Sequence, residues 1–282
     1  MLAIMGGSGL YKLEGLEIEE QLEVTTPFGT PSAPISRGSY RGRPVLFLAR
    51  HGTAHQLLPH EVNYRANIFA LKQLGARQIF SVSAAGSLRE DIKPGDLALV
   101  SQYFDHTRGV REKTFFGGGV VAHISTANPA CPALSADIQA AAEQIAQPLH
   151  TDNTYACVEG PRLGTRAESH FLRSAANCDL VGMTNVPEAF LAREAQLAYC
   201  SLCLITDYDC WMDDPSQHVS VDKFFEVYSG TLTKAVALLS QLLSQPLSET
   251  PADIRSALQT AVMTPKAQLS ADQQQWLGIL QQ

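Results

Sequence analysis

Seven short runs of apolar, β-branched and aromatic residues recur along the chain: "LAIM" (2–5), "PVLFLA" (44–49), "QIFSVSA" (78–84), "DLALVSQYF" (96–104), "TYACV" (154–158), "DLVGM" (179–183) and "YCSLCLIT" (199–206). Helical stretches lie between several of them. In "EVNYRANIFALKQLG" (61–75), Val62, Ala66, Phe69, Ala70 and Leu74 fall near one face, and Gly75 supplies a C-terminal stop. The other helical stretches are "LSADIQAAAEQIAQ", "TRAESHFLRSAA", "PEAFLAREA" and "VDKFFEVYSGTLTKAVALLSQLL". This alternation predicts a layered α/β fold around a central, largely buried sheet. "PLSETP" (246–251) breaks the last long helix. The chain is therefore expected to comprise a domain over 1–245 and a helical extension over 246–282, packed on that domain or on a neighbouring subunit. Ser270 and Gln273 form a capping-box pattern that predicts a short helix near the end.

In open α/β sheets, ligands bind beyond the carboxyl ends of the strands. Those positions hold Gly6, Gly7, Ser8 and Gly9; Arg50, His51 and Gly52; Ser83, Ala84, Ala85 and Gly86; Glu159, Gly160, Pro161 and Arg162; Met183 and Thr184; then Asp207, Tyr208 and Asp209. Small residues exposing backbone N–H groups, several hydroxyls, a guanidinium and an imidazole suit an oxyanion such as phosphate. "GGSGLYK" lacks both the GK[ST] of a P-loop and the third glycine of a dinucleotide fingerprint. A metal site at His51, His55 and His60 is the weaker reading, because Gly52, Thr53 and Pro59 mark a loop and no HExxH is present. Cys200 and Cys203 have CxxC spacing, but they lie inside an apolar strand run, where core packing is expected.

Composition narrows the partners. The 282 residues carry a formal net charge of −7 and no basic stripe, which argues against nucleic acid. No segment approaches the roughly 18 uninterrupted apolar residues of a membrane helix. With no basic n-region or long apolar h-region at the start, and six cysteines to be kept reduced, a cytoplasmic location is expected.

"YCSLCLITDYDCW" (199–211) ends an apolar run in two acids, Asp207 and Asp209, hemmed by Tyr208, Cys210 and Trp211. Burial and a neighbouring acid both raise a carboxyl pKa, so the pair is a candidate for proton transfer rather than a solvated turn. On an extended strand, Asp-x-Asp places both side chains on one face.

On "GGSGL", "ARHGTAHQLLPHEVNYRANIFALKQLGA", "SAAGSLREDIKPGD", "VEGPRLGTRAES", "VGMTNVPEAFLAREA" and "TDYDCW", over nearly all of 1–243, the chain resembles the trimeric purine nucleoside phosphorylases. Within that family it is most similar to the branch acting on 5′-methylthioadenosine. The resemblance implies a single-domain phosphorylase/hydrolase-like fold with a central mixed β-sheet flanked by helices. It also implies a homotrimer, and phosphorolysis of a nucleoside with inorganic phosphate as co-substrate and neither cofactor nor metal. It places Ser8, Arg50, His51, Ser83, Ala84 and Thr184 on phosphate, and Met183 on the ribose. Leu163, Gly164, Asp207 and Asp209 fall around the base, and Val221, Phe224 and Phe225 around the 5′ substituent. His123, with Val262 or Met263, would reach a neighbouring subunit's site. Three departures stand out: Gly164 occupies the place of a serine or glutamate, Ser8 that of a threonine, and the loop 212–218 is one residue longer.

The chemistry of the base follows. Adenine shows N7 as acceptor and N6 as donor, which a protonated and an ionised carboxyl complement, and protonating N7 eases departure of the purine. A 6-oxopurine shows two acceptors and would want an amide at Asp207 and an acid at Gly164. Apolar Val221, Phe224 and Phe225 favour a methylthio group over a 5′-hydroxyl, although His218 lies three residues upstream. The expected reaction is phosphorolysis of 5′-methylthioadenosine to adenine and 5-methylthioribose 1-phosphate. The alternatives are a 6-oxopurine nucleoside or methylthioinosine phosphorylase, and a hydrolytic nucleosidase, in which Arg50 and the Gly6–Gly9 loop would have no purpose. A purine-binding protein without activity would not need the acid at Asp207.

Overall fold

A computed structural model describes residues 1–7, 9–10, 13–214 and 221–282, with the backbone alone over 221–225. Its nine strands form one mixed sheet: β1 (Leu2–Gly6), β2 (Leu16–Leu22), β3 (Ile35–Tyr40), β4 (Arg43–Ala49), β5 (Gln78–Ser87), β6 (Leu97–His106), β7 (His150–Val158), β8 (Leu180–Gly182) and β9 (Ala198–Asp207). The spatial order is β2-β3-β4-β1-β5-β8-β7-β6-β9, and β9 also pairs with β5. Five strands therefore close into a ring, while β2, β3, β4 and β1 extend from β5 as an open sheet.

The seven apolar runs supply β1 and β4–β9. β9 is buried along its length until Asp207, as a strand covered on both faces must be. β1 splits its side chains by parity: Ala3 and Met5 enter one core, Leu2 and Ile4 the other. The first core is roofed by α1 (Tyr64–Gln73), α4 (Asn185–Glu194) and α7 (Ala271–Leu280); the second by α2 (Pro132–Gln144) and α5 (Val221–Ser244). A third core, with Val100, Tyr155, Cys203 and Ile205, joins residues of the ring strands.

Local signals set the helix ends. Asn63 caps α1, its side chain accepting from the Ala66 N–H at 3.1 Å, and Gly75 follows with φ of 92°. Ser270 and Gln273 close the capping box of α7. The stretch around "TRAESHFLRSAA" is not one α-helix: α3 (Arg166–His170) runs into a π-helical turn, Phe171–Ala175. A further short helix, α6 (Ala252–Arg255), lies in the extension. Trp276, Leu277 and Leu280 of α7 join the first core, where Phe28 sits edge-on to Phe69, Phe115 and Trp276 at 5.3, 5.0 and 5.6 Å. The extension thus packs on its own chain.

Two strands have no counterpart among the seven runs. β2 ("LEIEEQL") is exposed at five of seven positions, and β3 ("ISRGSY") carries an arginine and a glycine, so neither shows a continuous apolar signal. β8 runs antiparallel to β5 and meets it only through Gly86↔Val181 and Ser87↔Leu180. Met183 and Thr184 reach the carboxyl end of β5 for that reason, although their strand runs the other way.

Candidate active site

Five strand ends converge beyond the sheet. The Arg50 N–H donates to the Gly6 carbonyl at 3.1 Å, tying the end of β4 to the end of β1. Gly6 must be small, since a Cβ there would lie 3.1 Å from the Val82 carbonyl oxygen. Ser8 lies outside the described residues.

Arg50 departs from expectation. It is only 2 % exposed and forms a two-pronged pair with Glu188, which is 0 % exposed. Nε donates to Glu188 Oε2 at 2.6 Å and NH2 to Oε1 at 2.9 Å. NH2 also donates to Ser81 Oγ at 2.6 Å and NH1 to the Val82 carbonyl at 3.0 Å. One N–H of Nε, one of NH1 and both of NH2 are thus engaged, so the fork expected to grip phosphate instead neutralises a buried carboxylate. One NH1 hydrogen is left for a ligand. Glu188 needs this pairing because an isolated buried carboxylate is costly; it also accepts from Ser81 Oγ and Tyr199 OH, each at 2.7 Å.

Beside Arg50, His51 places Nδ1 2.9 Å from the Leu57 carbonyl. Burial, and then the Arg50 charge, push its pKa down to about 4. The neutral ring keeps its proton on Nδ1, where the carbonyl can only accept, and turns Nε2 outward as an acceptor. His51 and His55 lie on turns rather than a helix, their rings 4.7 Å apart. Among the described residues, no group of three or more His, Cys, Asp or Glu gathers with metal-holding geometry.

Ser83 is buried with its hydroxyl 3.8 Å from Cys203 Sγ, and Ala84 beside it is half-buried. Buried Thr184 donates through Oγ1 to Asn185 Oδ1 at 3.3 Å, and Asn185 Nδ2 is fixed by Ser201 Oγ at 2.5 Å. The Met183 side chain covers Gly160: a Cβ on Gly160, whose φ is already 69°, would lie 2.5 Å from Met183 Sδ.

The acids occupy the end of β9. The strand stops at Asp207, and Asp209 is in a turn with φ of 55°, so the two do not share one face of a strand as expected. The cause is local: Asp207 Oδ1 accepts from the Asp209 N–H at 2.8 Å, a side-chain-closed turn. Oδ2 of Asp207 accepts from Thr206 Oγ1 at 2.7 Å. The Trp211 indole N–H, donating to the Ser87 carbonyl at 2.8 Å, pins this turn to β5. Both carboxyl pKa values are pushed above the usual range, burial being the chief cause in each. Gly86 faces the pair; a Cβ there would lie 2.8 Å from Asp207 Oδ1 and 3.3 Å from the Asp209 Cβ. Gly164 opens on the other side, where a Cβ would stand 3.9 Å from both Asp209 carboxylate oxygens. Its neighbour Leu163 is exposed.

His123 lies apart from the strand ends, on an arm formed by two chain segments. Its N–H donates to the Ala261 carbonyl at 3.0 Å, the Met263 N–H to Val121 at 2.8 Å, and Ala122 bridges Val262. The side chains of Val221, Phe224 and Phe225, and the whole of His218, lie outside the described residues. Clefts of about 520 and 610 Å3 occur elsewhere, one lined by Phe28, Phe116 and Trp276, the other by Arg43, Arg77 and Arg255. Converging chemistry, rather than the size of a hollow, therefore makes the strand ends the candidate site.

The family model described as the phosphorylase superfamily matches residues 1–242, which span all these strand ends. The chain belongs to the phosphorylase superfamily. It is 44 % identical over 280 residues to the S-methyl-5′-thioadenosine phosphorylase of Geobacter sulfurreducens, covering 99 % of this chain and 97 % of that one. The enzyme of that name from Thermosynechococcus vestitus is 43 % identical, with 99 % and 97 % covered. A methylthioadenosine phosphorylase sourced from an antarctic soil metagenomic library superposes with a TM-score of 0.92 at 43 % identity, covering 99 % of this chain and 98 % of that one. The methylthioadenosine phosphorylase of Schistosoma mansoni in complex with adenine gives 0.86 at 33 % identity, with 93 % and 98 % covered.

Two residues of this phosphorylase chain escaped sequence reasoning. Glu188 lies in the quoted "VPEAF", but nothing local marks it as the partner of Arg50, 138 positions away. Arg111 sits in "GVREK" with no pattern around it, and the structure buries it between three strand ends.

Proposed function

We propose that the chain catalyses phosphorolysis of 5′-methylthioadenosine, releasing adenine and 5-methylthioribose 1-phosphate. The observation that carries this reading is the pair of acids at the end of β9, their carboxyl pKa values raised by burial, set beside an oxyanion-type cluster at the neighbouring strand ends. A phosphate oxygen attacks C1′ as the C1′–N9 bond breaks, the bonding pair passing to the purine. Asp207, whose carboxyl burial biases toward the protonated form, gives its proton to N7, so adenine leaves neutral. Asp209 accepts from N6. The names of the relatives and the adenine held by the Schistosoma mansoni enzyme support a 6-aminopurine.

For phosphate, the remaining Arg50 N–H, the hydroxyls of Ser83 and Thr184, and Ala84 form the cradle, and the resemblance adds Ser8 to it. Neutral His51 accepts a hydrogen bond from a protonated phosphate oxygen. Met183 lies under the ribose, Leu163 and Gly164 lie by the base, and the resemblance assigns Val221, Phe224 and Phe225 to the 5′ substituent.

The assembly in this reading is a homotrimer. Its support is the His123 arm, whose tip exposes Val121 at 47 % and Met263 at 63 %, an apolar surface suited to a second copy's site. The domain spans 1–245, with 246–282 as an extension that also builds the arm. Six unpaired, buried cysteines fit a reducing, cytoplasmic setting. No helix among the described residues is long and apolar enough to cross a membrane.

The test is base release from methylthioadenosine, adenosine, inosine and methylthioinosine, each with and without phosphate, with the sugar phosphate followed by 31P NMR. Methylthioadenosine should be cleaved fastest, and only with phosphate present. Equal rates in phosphate-free buffer would establish a hydrolytic nucleosidase instead. Faster cleavage of the inosine pair would establish a 6-oxopurine enzyme.

A further inference from the structure

Arg111, on the loop after β6, is 6 % exposed, and its guanidinium joins pieces of the chain far apart in sequence. Nε donates to Glu159 Oε1 and NH2 to the Glu159 carbonyl, both at 2.8 Å, fastening the loop to the end of β7. Glu159 Oε2 also accepts the Arg108 N–H at 2.8 Å. NH1 turns the other way and donates to the carbonyls of Met183 and Val186, both at 2.7 Å. The Tyr64 ring lies against the guanidinium, 5.4 Å from Cζ to centroid.

The two NH1 acceptors bracket Thr184 and Asn185. Val186 has extended backbone, φ −120° and ψ 129°, inside the first turn of α4, which turns its carbonyl out of the helical ladder. Met183 to Val186 is therefore a short ledge held at both ends by one buried cation, and it bears the Thr184 hydroxyl and the Met183 side chain. A loop fastened for its own sake would need only the Glu159 contacts. The NH1 contacts serve the ledge.

We propose that Arg111 is a positioning residue of the phosphorolytic reaction, holding the Met183–Val186 ledge so that Thr184 meets phosphate and Met183 meets ribose. This rests on the phosphorolytic reading of the site. Arg111 touches neither substrate; it acts through the two carbonyls. Releasing them leaves two buried acceptors without their charged donor, and the ledge shifts. A shift of about 1 Å at a reacting centre costs on the order of 10²-fold in rate.

The experiment compares wild type, R111K and R111A for kcat, for KM of methylthioadenosine and of phosphate, and for Tm. Expected for R111A is a kcat lower by about 10²-fold, with both KM values raised. R111K should fall between the two, about tenfold below wild type, because one ammonium cannot reach four acceptors arranged for a planar fork. Guanidinium chloride at millimolar concentration should restore part of the R111A rate without restoring its Tm. Kinetic constants within twofold of wild type in both variants, whatever their Tm, overturn the proposal. Should R111A fail to fold, R111K decides alone, and wild-type kinetics there overturn it. A wild-type chain that cleaves none of the four nucleosides overturns the functional reading, and this proposal with it.

Discussion

Glu188→Gln is the most informative single perturbation, because it changes charge and almost nothing else. Glu188 Oε1 accepts from Arg50 NH2, Ser81 Oγ and Tyr199 OH, and Oε2 from Arg50 Nε. Glutamine keeps the volume and one carbonyl oxygen, but it sets an NH2 group against the Arg50 Nε–H. Arg50, 2 % exposed, is left charged and half-paired. Breaking a buried pair by removing one partner costs about 3–5 kcal/mol, chiefly for the charge left behind. At about 2–4 °C per kcal/mol for chains of this size, Tm should fall by roughly 6–20 °C. Differential scanning fluorimetry or calorimetry measures it directly. Phosphate, as an anion beside Arg50, should recover more of the Tm in the variant than it adds to wild type. Replacing both partners by methionine should cost less than E188Q, since no bare charge then remains. A Tm loss below about 2 °C, or a double variant worse than the single, would refute the unpaired-charge account.

Asp207→Asn removes the transferable proton and should lower kcat/KM on methylthioadenosine by about 10²-fold or more, with a much smaller loss on inosine; equal losses on both would mean Asp207 does not read the base. Gly86→Ala should cost on the order of 10²-fold in kcat/KM at nearly unchanged Tm, because its Cβ would stand 2.8 Å from the Asp207 oxygen already held by the Asp209 N–H; activity within threefold would show that the carboxyl has room to move. Glu194, accepting from Thr114 Oγ1 and the Phe115 N–H, is pushed by burial from an ordinary 4.5 up to about 7. The folded chain then holds a proton that the unfolded chain has lost, so this contribution is full below pH 4.5 and disappears as pH rises through 7, a span of about 3 kcal/mol. Glu194→Gln should flatten the fall of Tm between pH 5 and 8, and parallel profiles would contradict it.

Much of this was legible in the sequence, for physical reasons that also explain the gaps. Buried strands such as β9 announce themselves because both faces need apolar residues, and the chemistry collects at their ends because backbone there is freed from the ladder. The Ser270–Gln273 box was visible because capping is local. β2 and β3 were not, since half-exposed strands carry charge and leave no apolar run. Asp-x-Asp pointed to two acids whose carboxyl pKa values burial raises but gave the wrong geometry for them, because a carboxylate that bonds its own backbone two residues on ends the strand. The Arg50–Glu188 pair and the Arg111 clamp depend on residues meeting across long stretches of chain. A single sequence shows that an arginine is present, not which carboxylate already occupies it.

Closure of β5 through β9 into a ring leaves the described sheet with one terminal strand, β2. That strand exposes Glu17, Glu19 and Glu20 around Ile18. Two copies meeting edge to edge would bring three carboxylates from each into register, so self-templated strand addition is repelled at neutral pH. The protection is electrostatic and goes with its charge. Acidified, concentrated or high-salt solutions are where this chain should begin to stack into fibrillar or amorphous aggregates, and β2 is where the stacking would start.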